Sequence, residues 1–291
     1  MGAALAGDAA TAMPAAKASA RSVFMILSRL APRAYGSHLA AAVKAPYFYV
    51  IFAAVFALGH AASAQSGAAQ YDACLRRAQS DPQAALLLAS SWEKNGGGAA
   101  AQHCEAVAMI GLRQYPEAAR KLEALAQSGD KAMRSALYDQ AGNAWMLAAN
   151  ADSAVDDFTR ALSADPLDPD LLADRGRAEA FRKNWAKAES DLNAALLVAP
   201  DRADLLVLRG SARHGMGRKA DARADFDAAL RLQPNNADAL LERGVMKLEA
   251  GDVAGARADW QSVVAAHPGS IEGETARQHL ADLDRARPPR R

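Results

Sequence analysis

Beyond residue 64 the chain carries four histidines, His103, His214, His267 and His279, and two cysteines, Cys74 and Cys104. Imidazoles and thiolates bind zinc or perform nucleophilic and acid–base chemistry, but both uses need them clustered. No His-Glu-x-x-His, Cys-x-x-Cys or Gly-x-Ser-x-Gly motif brings such groups together. Gly215-Met216-Gly217 imitates the opening of a dinucleotide-binding loop, yet no strand pattern precedes it. The sequence therefore predicts no enzyme, cofactor, metal site or small-molecule substrate.

The remaining charged residues of note form two rows. Asp157, Asp191, Asp225 and Asp259 are 34 residues apart, and so are Arg175, Arg209, Arg243 and Arg277. Ala141 stands where a fifth arginine would fall. If each aspartate paired with the arginine 18 residues later, all four pairs would close, whereas pairing 16 residues back would leave Asp157 and Arg277 without partners. The rows thus predict ion pairs between successive repeats, setting their register. An arginine ladder that binds anions is the alternative.

A 34-residue interval points to the elements that carry these rows. Pro166, Pro200, Pro234 and Pro268 keep the same period and divide the chain into blocks 135–168, 169–202, 203–236 and 237–270. The eighth residue of each block is glycine (Gly142, Gly176, Gly210, Gly244), where two helices must approach closely. The twentieth is alanine (Ala154, Ala188, Ala222, Ala256), and four residues later comes a large apolar knob: Phe158, Leu192, Phe226 or Trp260. Residues four apart share a helix face, so small meets large between paired helices. Such a unit cannot bury its apolar face alone and must stack on a neighbour.

This pattern resembles the tetratricopeptide repeat (TPR) family over residues 135–270. The resemblance implies an all-α fold, a right-handed α-solenoid of antiparallel helix pairs. Upstream, Tyr115-Pro116-Glu117-Ala118 with Leu122 and Leu125 reads as the second helix of a degenerate unit over 99–134, with Ala106 in the glycine's place. Residues 65–98 read as one further helix pair ending in Gly96-Gly97-Gly98. Ile271–Arg285 forms a capping helix, and 286–291 is a short disordered tail.

The same resemblance places a partner groove on the first helix of each pair. Carried over by position, its lining is Asp139, Asn143, Met146 and Leu147; Asp170, Ala173, Arg177 and Phe181; Asp204, Val207, Ser211 and His214; Asp238, Leu241, Val245 and Leu248. Phe181 and Met146 are the expected contacts, being apolar where the core has no evident need of them. Family members that hold a C-terminal carboxylate use lysine and asparagine there; Asn143 fits, but Asp139 stands where lysine is wanted. Asp170, Asp204 and Asp238 fall in the first turns of their helices, where acids complement the dipole, although the row also suits a basic ligand.

The N-terminus carries a separate signal. Ala45–Leu58 is an apolar run preceded by Arg29, Arg33 and Lys44 and followed by Ala62-Ser63-Ala64. That is the anatomy of a Sec signal peptide cut between Ala64 and Gln65, and it predicts a periplasmic protein. The n-region counted from Met1 is over-long, so translation is expected to begin at Met13 or Met25; an uncleaved run would instead anchor the chain in the membrane.

Removing residues 1–64 takes five basic residues (Lys17, Arg21, Arg29, Arg33, Lys44) and one acid (Asp8), leaving 29 basic against 32 acidic, a net of −3. That balance gives no basic surface for nucleic acid. In an exported chain Cys74 and Cys104 are expected to form one disulfide, two buried thiols being the alternative. The function expected is a scaffold or adaptor binding a protein or peptide, or else an accessory module recruiting a polypeptide to an envelope enzyme system such as cytochrome maturation or polysaccharide export. Nothing in the residues speaks to oligomeric state.

Overall fold

The computed structural model describes residues 67–129 and 131–285. The expected signal segment, its cleavage site at Ala64 and Gln65, and the tail 286–291 lie outside the described residues. Among those described, helices are the only regular elements and no helix is long and apolar enough to cross a membrane.

In chain order the helices are α1 (67–80), α2 (Pro82–Trp92), α3 (Gly98–Gly111), α4 (Tyr115–Ser128), α5 (Lys131–Leu147), α6 (Ala151–Ala161), α7 (Pro169–Phe181), α8 (Trp185–Val198), α9 (Ala203–Gly215), α10 (Lys219–Leu232), α11 (Ala237–Glu249), α12 (Val253–Ala266) and α13 (Ile271–Arg285). From α2 onward each packs on the next, and the first helices α5, α7, α9 and α11 also touch one another in turn. The result is an α-solenoid of helix pairs whose first helices make one continuous wall.

Local chemistry sets these boundaries. The Asp81, Asn150, Asp168, Asn236 and Asp252 side chains each accept a backbone N–H of the first helical turn that follows, satisfying donors that the helix itself cannot. At each turn between paired helices the fifteenth residue takes the left-handed conformation: Arg113 (φ 61°), Ala149 (57°), Lys183 (62°), Gly217 (75°) and Gly251 (83°). The next residue donates its N–H back to the fifth residue before it, as Asn184 does to Glu179 at 2.8 Å. This 6→1 bond closes the helix end. The degenerate unit keeps that turn at Arg113, so it shares the repeat's geometry although its side chains diverge.

The glycine row is explained by the knobs. A Cβ built on Gly142 would lie 2.7 Å from the Phe158 ring, and one on Gly210 would lie 2.6 Å from Phe226. Gly176 faces the slimmer Leu192, which a Cβ would approach only to 3.2 Å. In the degenerate unit Ala106 stands opposite Leu122, both fully buried. Glycine is thus demanded by an aromatic knob and not by leucine. These knobs form the spine of one apolar core running from Ala106 to Ala276.

The ion-pair rows correct the sequence reading. Arg175 binds Asp191 of its own repeat through Nε (2.8 Å) and Nη2 (2.7 Å). Arg209 binds Asp225 (3.0 and 2.7 Å), and Arg243 binds Asp259 (2.9 and 2.8 Å), in the same bidentate way. The predicted pairs Asp157–Arg175, Asp191–Arg209, Asp225–Arg243 and Asp259–Arg277 are not formed. The reason is the turn: the seventh and twenty-third positions are equidistant from the fifteenth, so in an antiparallel pair they meet at one level.

Contact between repeats does exist, through the third donor of each guanidinium. Nη1 of Arg175 reaches Thr159 (3.3 Å), that of Arg209 reaches Asn193 (2.8 Å) and that of Arg243 reaches Asp227 (2.9 Å), each in the preceding repeat. Arg277 binds Glu274 and the Pro268 carbonyl, capping the array. Asp157 takes Arg160, one turn along its own helix.

Candidate partner groove

The predicted groove residues lie on the wall of first helices, but at different depths. Val207 is 7% exposed and Ala173 5%, so the fifth residue of these two repeats belongs to the core. Leu241 and Val245 are half-buried against that core, as is Met146. Met146 therefore does have a core role, which corrects its expected standing as a free contact. Phe181 and Leu248, near the ends of α7 and α11, expose 46% and 38% of their surface. Of the predicted apolar lining, Phe181 and Leu248 are the open members.

The polar members are engaged within the wall. Asn143 donates to the Asp139 carbonyl (3.0 Å) and carboxylate (2.9 Å), so its amide is occupied by its own helix. Arg177 pairs with buried Asp174. Ser211 returns its hydroxyl to the Val207 carbonyl at 3.1 Å. Arg202 donates to Asp204 (2.8 and 2.6 Å) and also to Asp170 (3.0 Å), neutralising part of the acidic edge from inside. Burial opposes charge on Asp204, but Arg202 outweighs it and holds the carboxyl below its usual range.

His214 and Lys219 converge on Glu249 of the following repeat, at 3.1 and 2.7 Å. Burial pushes that carboxyl up, while its two partners together bring it below the ordinary range. Nearby Glu242 is pushed up, first by burial and then by Asp238 and Glu249, with His214 opposing. His214 is thus bound into a charged cluster at one end of the wall.

Sequence reasoning missed three features. Trp185 lies against the next repeat's Gly215, where a Cβ would come within 2.6 Å of the indole. The thirteenth position of that repeat is glycine because the wall there is roofed by an aromatic from α8. An open hollow of about 330 Å³ lies beside it, lined by Lys183, Asn184, Trp185, Ala186, Lys187 and Met216. The period hid this because Trp185 has no aromatic counterpart in the other three regular repeats, where Ala151, Lys219 and Val253 occupy its place.

The second feature is a buried polar chain. The Tyr71 hydroxyl lies 2.7 Å from His103 Nδ1, and His103 Nε2 lies 2.6 Å from Gln140 Oε1. Gln140 accepts, so Nε2 carries the hydrogen and Nδ1 accepts from Tyr71. Burial lowers the His103 pKa, with Gln140 opposing, and burial raises the Tyr71 hydroxyl to about 12, aided by Asp72. One neutral chain thereby joins α1, α3 and α5. The third is the surrounding of Asp157, taken up below.

Cys74 and Cys104 form a disulfide between α1 and α3, their Cα atoms 6.1 Å apart. Among the described residues no group of three or more histidines, cysteines and carboxylates could hold a metal ion. The wall can bury apolar side chains of another chain and pair charges at its rim; it presents no clustered nucleophile.

Residues 207–271 match the family model of the tetratricopeptide repeat. MamA (residues 41 to its end) from Desulfovibrio magneticus RS-1 shares the fold, with a TM-score of 0.51 at 20% identity over 60% of this chain and 97% of its own. The first TPR of Spaghetti (RPAP3) bound to an HSP90 peptide is 29% identical over 40% of this chain and 95% of its own, with a TM-score of 0.39. The second TPR domain of human RPAP3 in complex with an HSP70 peptide is 27% identical over 40% of this chain and 98% of its own, also at 0.39. No curated protein matches the chain in sequence.

Proposed function

We propose that this chain is a non-catalytic scaffold that binds a polypeptide along the wall of first helices, and that it works in the periplasm after export by a Sec-type signal peptide. The observation that carries the binding role is the exposure of Phe181 and Leu248 on that wall, at 46% and 38%. The two lie on first helices of alternate repeats, α7 and α11, so a polypeptide running along the wall could bury each of them in turn. Because the Asn143 amide is held by Asp139, the reading is of side-chain burial along the wall and not of grip on a C-terminal carboxylate.

The export half of the proposal rests on the basic, apolar and small-residue pattern that ends at Ala64. The Cys74–Cys104 disulfide supports it, since such bonds persist in oxidising compartments. A C-terminally tagged chain expressed in a Gram-negative host tests both halves. Fractionation should recover it from the periplasm beginning at Gln65; recovery from the cytoplasm with residues 1–64 intact overturns the export reading. Capture of partners should be lost in a Phe181→Asp, Leu248→Asp variant of unchanged helicity. The same partners retained by that variant would overturn the wall as the binding surface.

A further inference from the structure

One aspartate of the row has no arginine from the facing helix. Asp191, Asp225 and Asp259 each receive two hydrogen bonds from the arginine opposite. Asp157 is the most deeply buried of the four, yet Ala141 stands where its arginine would be. Its one ion pair is with Arg160, 2.8 Å away on the same helix, and the Arg160 side chain is 49% exposed. The second carboxyl oxygen of Asp157 is buried with no hydrogen-bond partner.

Every packed element contributes to this carboxyl's surroundings. From α4 comes Glu123, which accepts the Trp145 indole N–H of α5 at 2.6 Å, and Arg120, whose guanidinium stands over the Trp145 ring at 5.9 Å. Arg160 likewise stands over Tyr138 of α5 at 5.5 Å. From α7, Arg175 touches Thr159 but commits its other donors to Asp191. A buried carboxyl with one oxygen unpartnered, a second carboxyl in its field and the cations drawn to the rim does not ionise cheaply. Burial first, and Glu123 second, push Asp157 up to about 7.

We propose that Asp157 keeps a proton at neutral pH, and that this proton latches the degenerate helix pair α3–α4, which carries Glu123, to the first regular repeat. Glu123 belongs to one side of that seam and Asp157 with Trp145 to the other, so losing the proton sets two negative charges across it. A group whose folded pKa is raised stabilises the closed form below its unfolded pKa and loses that contribution as pH rises through the folded value. The seam should therefore open more readily as pH climbs from the ordinary carboxylate range to about 7, by up to about tenfold per pH unit for one proton, and level off above.

Amide exchange of α4–α6 in the full chain, compared at pH 5 and pH 7.5 after correction for intrinsic rates, reads this directly. The wild type should lose about tenfold or more in protection across that range. Glu123→Gln gives Asp157 a neutral neighbour, while Ala141→Arg restores the guanidinium seen at Arg175; both should weaken the pH dependence. His103 acts in the opposite direction at the acidic end, but it is common to all three proteins and cancels in the comparison. A wild type with flat protection overturns the latch. So does a loss that persists undiminished in Glu123→Gln, whatever Ala141→Arg does.

Discussion

Arg209 and Asp225 are joined by two hydrogen bonds of 3.0 and 2.7 Å across one helix pair, sixteen residues apart. Asp225 also takes Arg213 at 2.8 Å, which in turn reaches Glu189 of the preceding repeat at 2.7 Å. The in-repeat pair is therefore the hub of a network that extends across the seam, and its Asp225 side chain is only 5% exposed.

A double-mutant cycle should separate the two possible pairings. Arg209→Ala with Asp225→Ala should give a coupling of about 1–3 kcal/mol, as residues sharing a buried network do. The cycle Arg209→Ala with Asp191→Ala should give less than about 0.5 kcal/mol. Urea unfolding midpoints of the six proteins decide it; the larger coupling at Asp191 would reverse the assignment.

A strict period cannot say which of two neighbours a residue meets, because both candidates recur every 34 residues. The aspartate and arginine rows were legible, but the partner was not; it is fixed by the turn centre at Lys183 or Gly217, about which the two positions are symmetric. Helix pairing and the small-to-large packing of Gly210 on Phe226 were legible because they follow from side-chain size alone. Depth along the wall was not. Val207 and Phe181 both read as groove residues, yet Val207, inside its helix, is buried and Phe181, at the end of its own, is exposed.

Knob size should decide what glycine replacement costs. Gly210→Ala drives a methyl into the Phe226 ring, and overpacking of this kind costs about 1–3 kcal/mol. Gly176→Ala meets Leu192 at 3.2 Å, an approach that a small shift relieves. Alanine's better helix propensity, worth about 0.8–1 kcal/mol over glycine, should leave this variant as stable as wild type or more so. Thermal midpoints of the two variants should move apart; an equal loss in both would remove the aromatic knob as the cause.

Reducing the Cys74–Cys104 bond should loosen one end of the molecule only. The cysteines have little core around them, chiefly Ala89 with Leu75 alongside, so the covalent link carries much of the segment's order. With a sequence separation of 30, a Cys74→Ser, Cys104→Ser variant should lose roughly 3–4 kcal/mol by the chain-entropy estimate. Repeat arrays transmit such losses only to neighbours. Amide exchange should accelerate in α1–α3 and stay unchanged in α9–α12; acceleration throughout would show that the array unfolds as one unit.

Acid should act on the same end through His103. The imidazole is 4% exposed and its two nitrogens are occupied by Tyr71 and Gln140 as a neutral ring. Burial lowers its folded pKa below the ordinary value, so the unfolded chain binds the proton first. The neutral chain then contributes fully above about pH 6.5, the unfolded value, and its contribution falls as pH drops from there toward the folded pKa. Protonation would also turn Nδ1 into a donor facing the Tyr71 hydroxyl, which would have to reverse its own hydrogen. We expect unfolding of α1–α3 to become easier between pH 6.5 and pH 5, and His103→Gln, which cannot take up that proton, to lose this acid dependence at some cost in stability at pH 7. An imidazole resonance titrating at or above the free value would show that the ring is solvated and the chain to Gln140 broken.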